Sequence, residues 1–400
     1  MSTTTTGPAA SIPLTDVAPT EVDVVVIGAG QAGLSSAYFV RRFGLGFVVL
    51  DAEPGPGGAW RHRSPTLTME KIHDIFDLPG VHRTPEVDPT LLAADVVPGY
   101  FADYERRTGL PVLRPVKVRS VTRHEDGRLL VAAEESGAER ESSGRAAGDP
   151  GAPGVVSPAG PGAAVPRTWA ARAVINATGT WSRPHWPYYP GAADFRGRQL
   201  HYADYRGPED FAGAKVVIVG GGASATHVLS ELADVAAETI WVTRSPLVFH
   251  EGAYGEDRRR AAVARVEERV RAGLPPQSVV SATGLAYTKV IRDAMDKGVF
   301  NRLPMFSRIT PDGVMWDDGR VAAADVIIWA TGFRSAIGHL APLKLRGPGG
   351  GIQMDGTRVV AEPRLHLVGY GPSASTVGAN RAGREAALQI RRLLAASHAA

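Results

Sequence analysis

The sequence has no cysteine among its 400 residues. Disulfides, thiolate metal sites and cysteine nucleophiles are therefore excluded. Long apolar runs are lacking too, and none approaches the ~20 residues that a membrane-crossing helix needs. No Lys/Arg run is interleaved with aromatics, which argues against nucleic acid as a partner. Charge of one sign is scarce: 44 basic residues face 41 acidic ones, for a net charge of +3. The run Arg258-Arg259-Arg260 opens a charged, helix-like stretch and reads as a solvated face. The first residues, 1–21, lack a basic start and an apolar core, so they read as a disordered tail rather than a signal peptide. His62, His73 and His82 have no metal-ligand spacing and read as surface or pocket histidines, so no metal is expected. A cytoplasmic protein is the expectation, with no membrane partner and with a homodimer left open.

What is present is apolar and glycine-rich. Hydrophobic residues make up 44% of the chain, enough for about two or three domains. Asp23 to Ile27 is a short apolar run suited to a strand buried on both faces. Gly28-Ala29-Gly30-Gln31-Ala32-Gly33 follows, then a helical stretch, then Phe47-Val48-Val49-Leu50 and Asp51. In this strand–turn–helix–strand–acid pattern each glycine serves a different purpose. Gly28 permits the tight turn, Gly30 admits a pyrophosphate to the backbone, and Gly33 lets helix and strand approach. Asp51, 18 residues beyond Gly33, is placed to accept hydrogen bonds from a ribose.

The pattern recurs. Lys215 to Val219 is a strand, Gly220-Gly221-Gly222-Ala223-Ser224-Ala225 a second turn, and Thr239 to Thr243 the next strand. This one ends in Arg244 and Ser245. A carboxylate there would repel a 2′-phosphate, whereas a guanidinium binds one in a bidentate way. The expected cofactors are accordingly an adenosine-bearing flavin, FAD, in the first turn and NADPH in the second. Two apolar strands end in Ala-Thr-Gly, at Ala177-Thr178-Gly179 and Ala330-Thr331-Gly332. Gly57-Gly58-Ala59-Trp60-Arg61 marks a loop. Val96 to Thr108 reads as an amphipathic helix, and two strands flank Asp126-Gly127. Residues 134–166 carry almost no large apolar side chain and read as a disordered insertion in a hairpin.

Between the two signatures lies Phe195-x-Gly197-x-x-x-His201-x-x-x-Tyr205. This stretch, so placed, resembles the fingerprint of the class B flavoprotein monooxygenases, and its Tyr205-Arg206 ending resembles the short bacterial flavin-containing monooxygenases more than the Baeyer–Villiger enzymes. The resemblance spans about residues 22–395 without the insertion. It implies an α/β fold of two Rossmann-like domains. The NADPH domain (206–325) is inserted into a FAD domain (22–205 and 326–400). It implies that Gly58, Trp60, Thr178, Thr331, Gly332 and Gly369 lie by the cofactors with the residues of the two turns. It implies an NADPH-dependent monooxygenase in which a C4a-(hydro)peroxyflavin, formed with O2, oxygenates a small molecule at nitrogen or sulfur. His201 and Arg61 are the catalytic candidates. His201 is expected to orient the joint or tune the NADP contact, and Arg61 to hold an anionic peroxide on the ketone-oxidising route. The zero cysteine count excludes the dithiol chemistry of thioredoxin-reductase-like relatives. The alternatives are Baeyer–Villiger oxidation, a reductase or oxidase without oxygenation, and a flavin-binding redox sensor. Two departures from the family pattern stand out. Met69-Glu70 precede Lys71 where many relatives carry Asn before Pro-Lys, which implies a leaky site. Tyr370 follows Gly369 where relatives place an Asp.

Overall fold

The computed structural model describes residues 18–72, 75–82, 87–136, 164–250, 256–277 and 284–399. The first apolar run forms β1 (Thr20–Ile27), and it leads through the glycine turn into α1 (Gln31–Arg42) and β2 (Phe47–Leu50). Val24, Val25 and Val26 are fully buried, as a strand covered on both faces requires. Helix α2 (Ala93–Thr108) then leads to β3 (Val112–Leu113). The strands β4 (Val116–Arg123) and β5 (Leu129–Glu135) form the hairpin around Gly127. β6 (Val165–Asn176) serves three partners: it pairs antiparallel with β5 and parallel with β1 and with the strand Glu362–Leu367. The insertion thus joins the paired ends Glu135 and Val165, and residues 137–163 lie outside the described residues.

The first sheet has a parallel core in the order Glu362–Leu367, β6, β1, β2, β3. The C-terminal helix Thr376–Ala399 packs along α1. The second sheet is also parallel. Its members are β7 (Arg198–His201), β8 (Lys215–Val219), β9 (Glu238–Thr243), and the strands Arg302–Pro304 and Val326–Trp329. Their order is Arg302–Pro304, β9, β8, Val326–Trp329, β7, with α3 (Ala223–Leu232) following β8. The fold is therefore α/β with two parallel, Rossmann-type sheets.

Strand pairings fall across two of the expected boundaries. Thr20 and Glu21, assigned to the tail, are paired with Trp169 and Ala170 in β1. The strands 198–201 and 326–329, assigned to the first domain, pair with each other in the second sheet, where 326–329 also pairs with β8. The physical cause is that Val326–Trp329 fills the slot between β8 and β7, so its ladder bonds are available only there. The chain crosses between lobes at the two Ala-Thr-Gly turns instead. These crossings lie side by side: Ala336 donates its N–H to Gly179 O at 2.9 Å, and Arg334 donates to Arg183 O at 2.8 Å.

Candidate active site at the junction of two nucleotide turns

In the first turn Gly28 has φ +96°, and a Cβ there would meet Ala177 O at 2.7 Å. A Cβ on Gly33 would stand 1.8 Å from Gly28 O. The helix can start this close to the strand only because both side chains are hydrogen. Gly30, at the N-cap of α1, is the opposite case, with no heavy atom within 4 Å of where its Cβ would project. Gly58 packs on it, since a Cβ at Gly58 would come 2.9 Å from Gly30 Cα. The Gly-Gly-x-Trp loop therefore lies against the first turn. Gln31 bridges to Asn380 at 2.9 Å and so fixes the start of the C-terminal helix beside that turn. Gly369, with φ +74°, comes up next to Ala32.

Asp51 is buried at the end of β2. Arg114 Nε donates to its carboxylate at 2.7 Å, and Arg114 in turn holds both oxygens of Glu105, at 2.6 and 2.8 Å. Burial pushes the Asp51 carboxyl up, against the pull of Arg114 and the N–H of Ala29.

The second turn repeats the scheme. Gly220, at φ +143°, sits under Ala330 O, which a Cβ would approach to 2.2 Å, while Gly222 opens onto free space. Each turn is thus roofed by the alanine carbonyl of one Ala-Thr-Gly. The threonines of those turns are structural: Thr178 donates to Ala336 O at 2.8 Å, and Thr331 donates to His185 O. Ala225 is fully buried at the third-glycine position. Beyond β9, Arg244 and Ser245 are exposed, and Arg244 has no ion pair among the described residues. Arg302 donates to Thr243 Oγ1 at 3.3 Å and brings a second guanidinium to that strand end. The charges of Arg334 and Arg244, added to burial, hold His185 below the usual imidazole range.

The joint between the lobes is packed at every fixed position. A Cβ on Gly197 would strike Asp325 O at 2.4 Å and the Phe195 ring at 2.5 Å. His201 is fully buried. Its Nδ1 accepts the Ala203 N–H at 3.1 Å, and its Nε2 donates to Gly332 O at 3.0 Å. Tyr205 is fully buried as well.

Residues 22–369 match the family described as pyridine nucleotide-disulphide oxidoreductase. The chain belongs to that family. It is 36% identical to a flavin-containing monooxygenase from Stenotrophomonas maltophilia, over 94% of this chain and 99% of that one, with a TM-score of 0.73. It is 26% identical to an indole-3-pyruvate monooxygenase of Oryza sativa, over 82% of this chain and 79% of that protein. A senecionine N-oxygenase of Tyria jacobaeae is 23% identical over 54% of this chain and 46% of its own length. The chain is a flavin-containing monooxygenase of this family, with FAD and NADPH as cofactors.

The family's disulphide chemistry has no counterpart here, because there is no cysteine. Both dinucleotides fit the turns: Gly30 and Gly222 leave open backbone at helix N-termini, where a pyrophosphate is stabilised by free N–H groups and the helix dipole. Both catalytic candidates have partners in this geometry. His201 has both ring nitrogens bonded to backbone, and burial holds it below its usual range. It links the end of β7 to the second Ala-Thr-Gly turn. Arg61 is drawn to its own loop, 3.9 Å from the Glu53 carboxylate and donating to Pro56 O at 3.2 Å. His62 likewise pairs with Glu53, at 2.9 Å, and exposed His82 pairs with Asp77. His73 lies outside the described residues. Among the described residues no group of side chains could hold a metal, and no helix is long and apolar enough to cross a membrane.

Sequence reasoning missed Arg63. Its guanidinium lies 5.1 Å from the Trp60 ring and 4.5 Å from the Trp181 ring, and Trp181 stacks on Phe333 at 4.7 Å. Arg63 has an enclosed Nε with no hydrogen-bond partner among the described residues, and burial pulls its pKa down. Arg114, which holds Asp51, was missed too, as were Tyr202, His227 and Glu231. Only His227 and Glu231 carried a signal, an i,i+4 pair on one helix face. After Gly369, Tyr370 is buried in the first lobe's core, and Ser373 Oγ accepts the Gly369 and Tyr370 N–H groups. Ser373 is thereby committed to its own turn.

Proposed function

We propose that this monooxygenase oxygenates a small molecule at a soft nucleophilic atom, an amine nitrogen or a thioether sulfur. The observation that carries the reading is a joint ending in Tyr205-Arg206 between two fitted turns, in a chain 36% identical to a flavin-containing monooxygenase. Gly28, Gly30, Gly33 and Asp51 hold the FAD pyrophosphate and ribose, with Gln31, Gly58, Trp60, Thr178 and Gly369 around them. Gly220, Gly222, Ser224 and Ala225 hold the NADPH pyrophosphate, and Thr331 and Gly332 close the crossing above it. Arg244, Ser245 and Arg302 receive the 2′-phosphate. The flavin, when bound and reduced by NADPH, supplies the oxygen activation. The chain supplies orientation and a dry wall. Arg63, shielded between Trp60 and Trp181, adds positive charge at the junction without admitting water.

The test is turnover under labelled O2 with a thioether, an amine and a cyclic ketone. Labelled sulfoxide or N-oxide is the expected outcome. Labelled lactone as the sole product would move the chain to ketone oxidation, and NADPH consumption without label in any product would overturn oxygenation.

A further inference from the structure

Glu231 is a carboxylate near the end of α3, with 11% of its side chain exposed. Four donors converge on it from three parts of the chain. Tyr205 Oη and Thr66 Oγ1 each donate to Oε2 at 2.9 Å. Lys71 Nζ reaches Oε1 at 3.2 Å, and His227 Nε2 reaches it at 3.0 Å. Burial alone would raise this carboxyl. The bond and charge of His227, with the Thr66 and Tyr205 hydroxyls, instead bring it down to about 2.

The donors differ in origin. Thr66 and Lys71 belong to a segment anchored in the first lobe, where Met69 N donates to Leu91 O at 2.9 Å and the Met69 side chain packs on the core. Tyr205 ends the joint motif. His227 belongs to α3 and continues the chain of bonds: its Nδ1 meets Tyr202 Oη at 3.2 Å, and α3 itself begins at Ala223, beside Ser224. Ser224 stands in the second dinucleotide turn. A path of hydrogen bonds therefore runs from Lys71 and Thr66 through Glu231 and His227 to Tyr202, and α3, which carries Glu231 and His227, starts at the turn that holds NADPH.

We propose that Glu231 is a positioning residue for flavin reduction: it clamps the segment 64–71 of the first lobe to α3 and the joint, and so sets where the second turn presents the nicotinamide. This rests on the functional reading above. The fit is specific, because a buried carboxylate needs several donors to stay charged, and these come from both lobes and the joint. The last position of the joint motif thereby acquires a role, since the Tyr205 hydroxyl is one of the four donors. Hydride transfer is sensitive to such placement, and a shift of about 1 Å costs up to about 100-fold in rate.

The test is anaerobic stopped-flow reduction of the FAD-loaded enzyme over a range of NADPH concentrations, which separates the reduction rate from the NADPH dissociation constant. It is run with wild type, Glu231→Gln and Tyr205→Phe. The expected result is a reduction rate about 10- to 100-fold lower in Glu231→Gln and lowered to a smaller degree in Tyr205→Phe. NADPH affinity should stay within about threefold, since neither residue is at the pyrophosphate. Amide hydrogen exchange of the same holoenzymes should speed up at 64–71 and 202–205. Wild-type reduction rates in the flavin-loaded variants would overturn the proposal even if their melting temperatures fall. If Glu231→Gln does not load flavin, Tyr205→Phe alone decides, because it keeps the carboxylate and three of its donors. A wild type that NADPH does not reduce would sink the functional reading instead.

Discussion

The two nucleotide lobes are built on one backbone scheme and finished with opposite charge. Both turns place a positive-φ glycine under the alanine carbonyl of an Ala-Thr-Gly, and both leave the second glycine open. They part at the third position and at the end of the second strand. Gly33 is crowded against Gly28 O, where a Cβ would stand at 1.8 Å. Its counterpart Ala225 fits fully buried, so α3 leaves its turn room for a methyl. Asp51 is buried and neutralised by Arg114, whereas Arg244 is exposed. A buried, oriented carboxylate suits a ribose held permanently; an exposed guanidinium suits a phosphate that must come and go. The backbone scheme selects a dinucleotide, and the strand-end charge selects which one.

The sharpest way to break the comparison is to close one open glycine at a time. Gly30→Val should abolish FAD retention, measured as flavin absorbance per protein. Gly222→Val should leave the flavin bound and remove NADPH binding, measured by titration of the yellow protein. The same loss in both variants would mean that the turns are not functionally separate.

Acid should next distinguish the lobes. Two histidines of the first lobe are held neutral by burial. His339, bonded to Asn176, is brought down to about 4. His366, with the charge of Arg358 adding to burial, is brought down to about 3. Both folded values lie below the ordinary 6.5, so protons favour the unfolded chain. Their stabilisation is complete above pH 6.5 and is lost as pH falls through 4 and 3. Allowing for the partial exposure of His339, that site alone contributes on the order of 2–3 kcal/mol. Glu231, at the junction, follows the same sign in a lower window, losing its contribution between 4.5 and about 2. Chemical unfolding against pH should therefore show stability falling from about pH 6.5, with flavin release preceding loss of the second sheet.

The smallest of these effects concerns charge. Arg244→Ala should weaken NADPH by roughly 10- to 150-fold, about 1.5–3 kcal/mol, and NADH far less. Arg302, beside Thr243, holds the loss toward the lower end. Equal losses for the two cofactors, by binding titration, would make Arg244 structural.

Much of the frame was legible in the sequence because it is local. A glycine turn between an apolar strand and a helix is a contiguous pattern, and Gly28, Gly30, Gly33, Gly220 and Gly222 stand where the pattern places them. The domain boundaries were less legible. Residues 198–201 and 326–329 fall by number in the expected FAD domain, and only their ladder partners place them in the second sheet. The insertion was visible as a shift in composition, and the structure adds that it interrupts a hairpin whose two strands are paired up to its edges.

By itself, the sequence determined the chemistry class: two dinucleotide turns of opposite strand-end charge, a joint between them, and no thiol to carry disulfide exchange. Each follows from residues adjacent in the chain or from an absence that no folding can repair. The tertiary structure alone decided which side chains are free to act. Arg61 and His201 were named by position, and the structure adds their partners: Glu53 and Pro56 for one, two backbone groups for the other. Arg63, Arg114 and Glu231 belong to no motif of the sequence, yet their partners lie 4 to 165 residues away or, for Arg63, are two indoles. Burial and long-range pairing set whether an ionisable group is spent or available, and neither is written in the spacing of the chain.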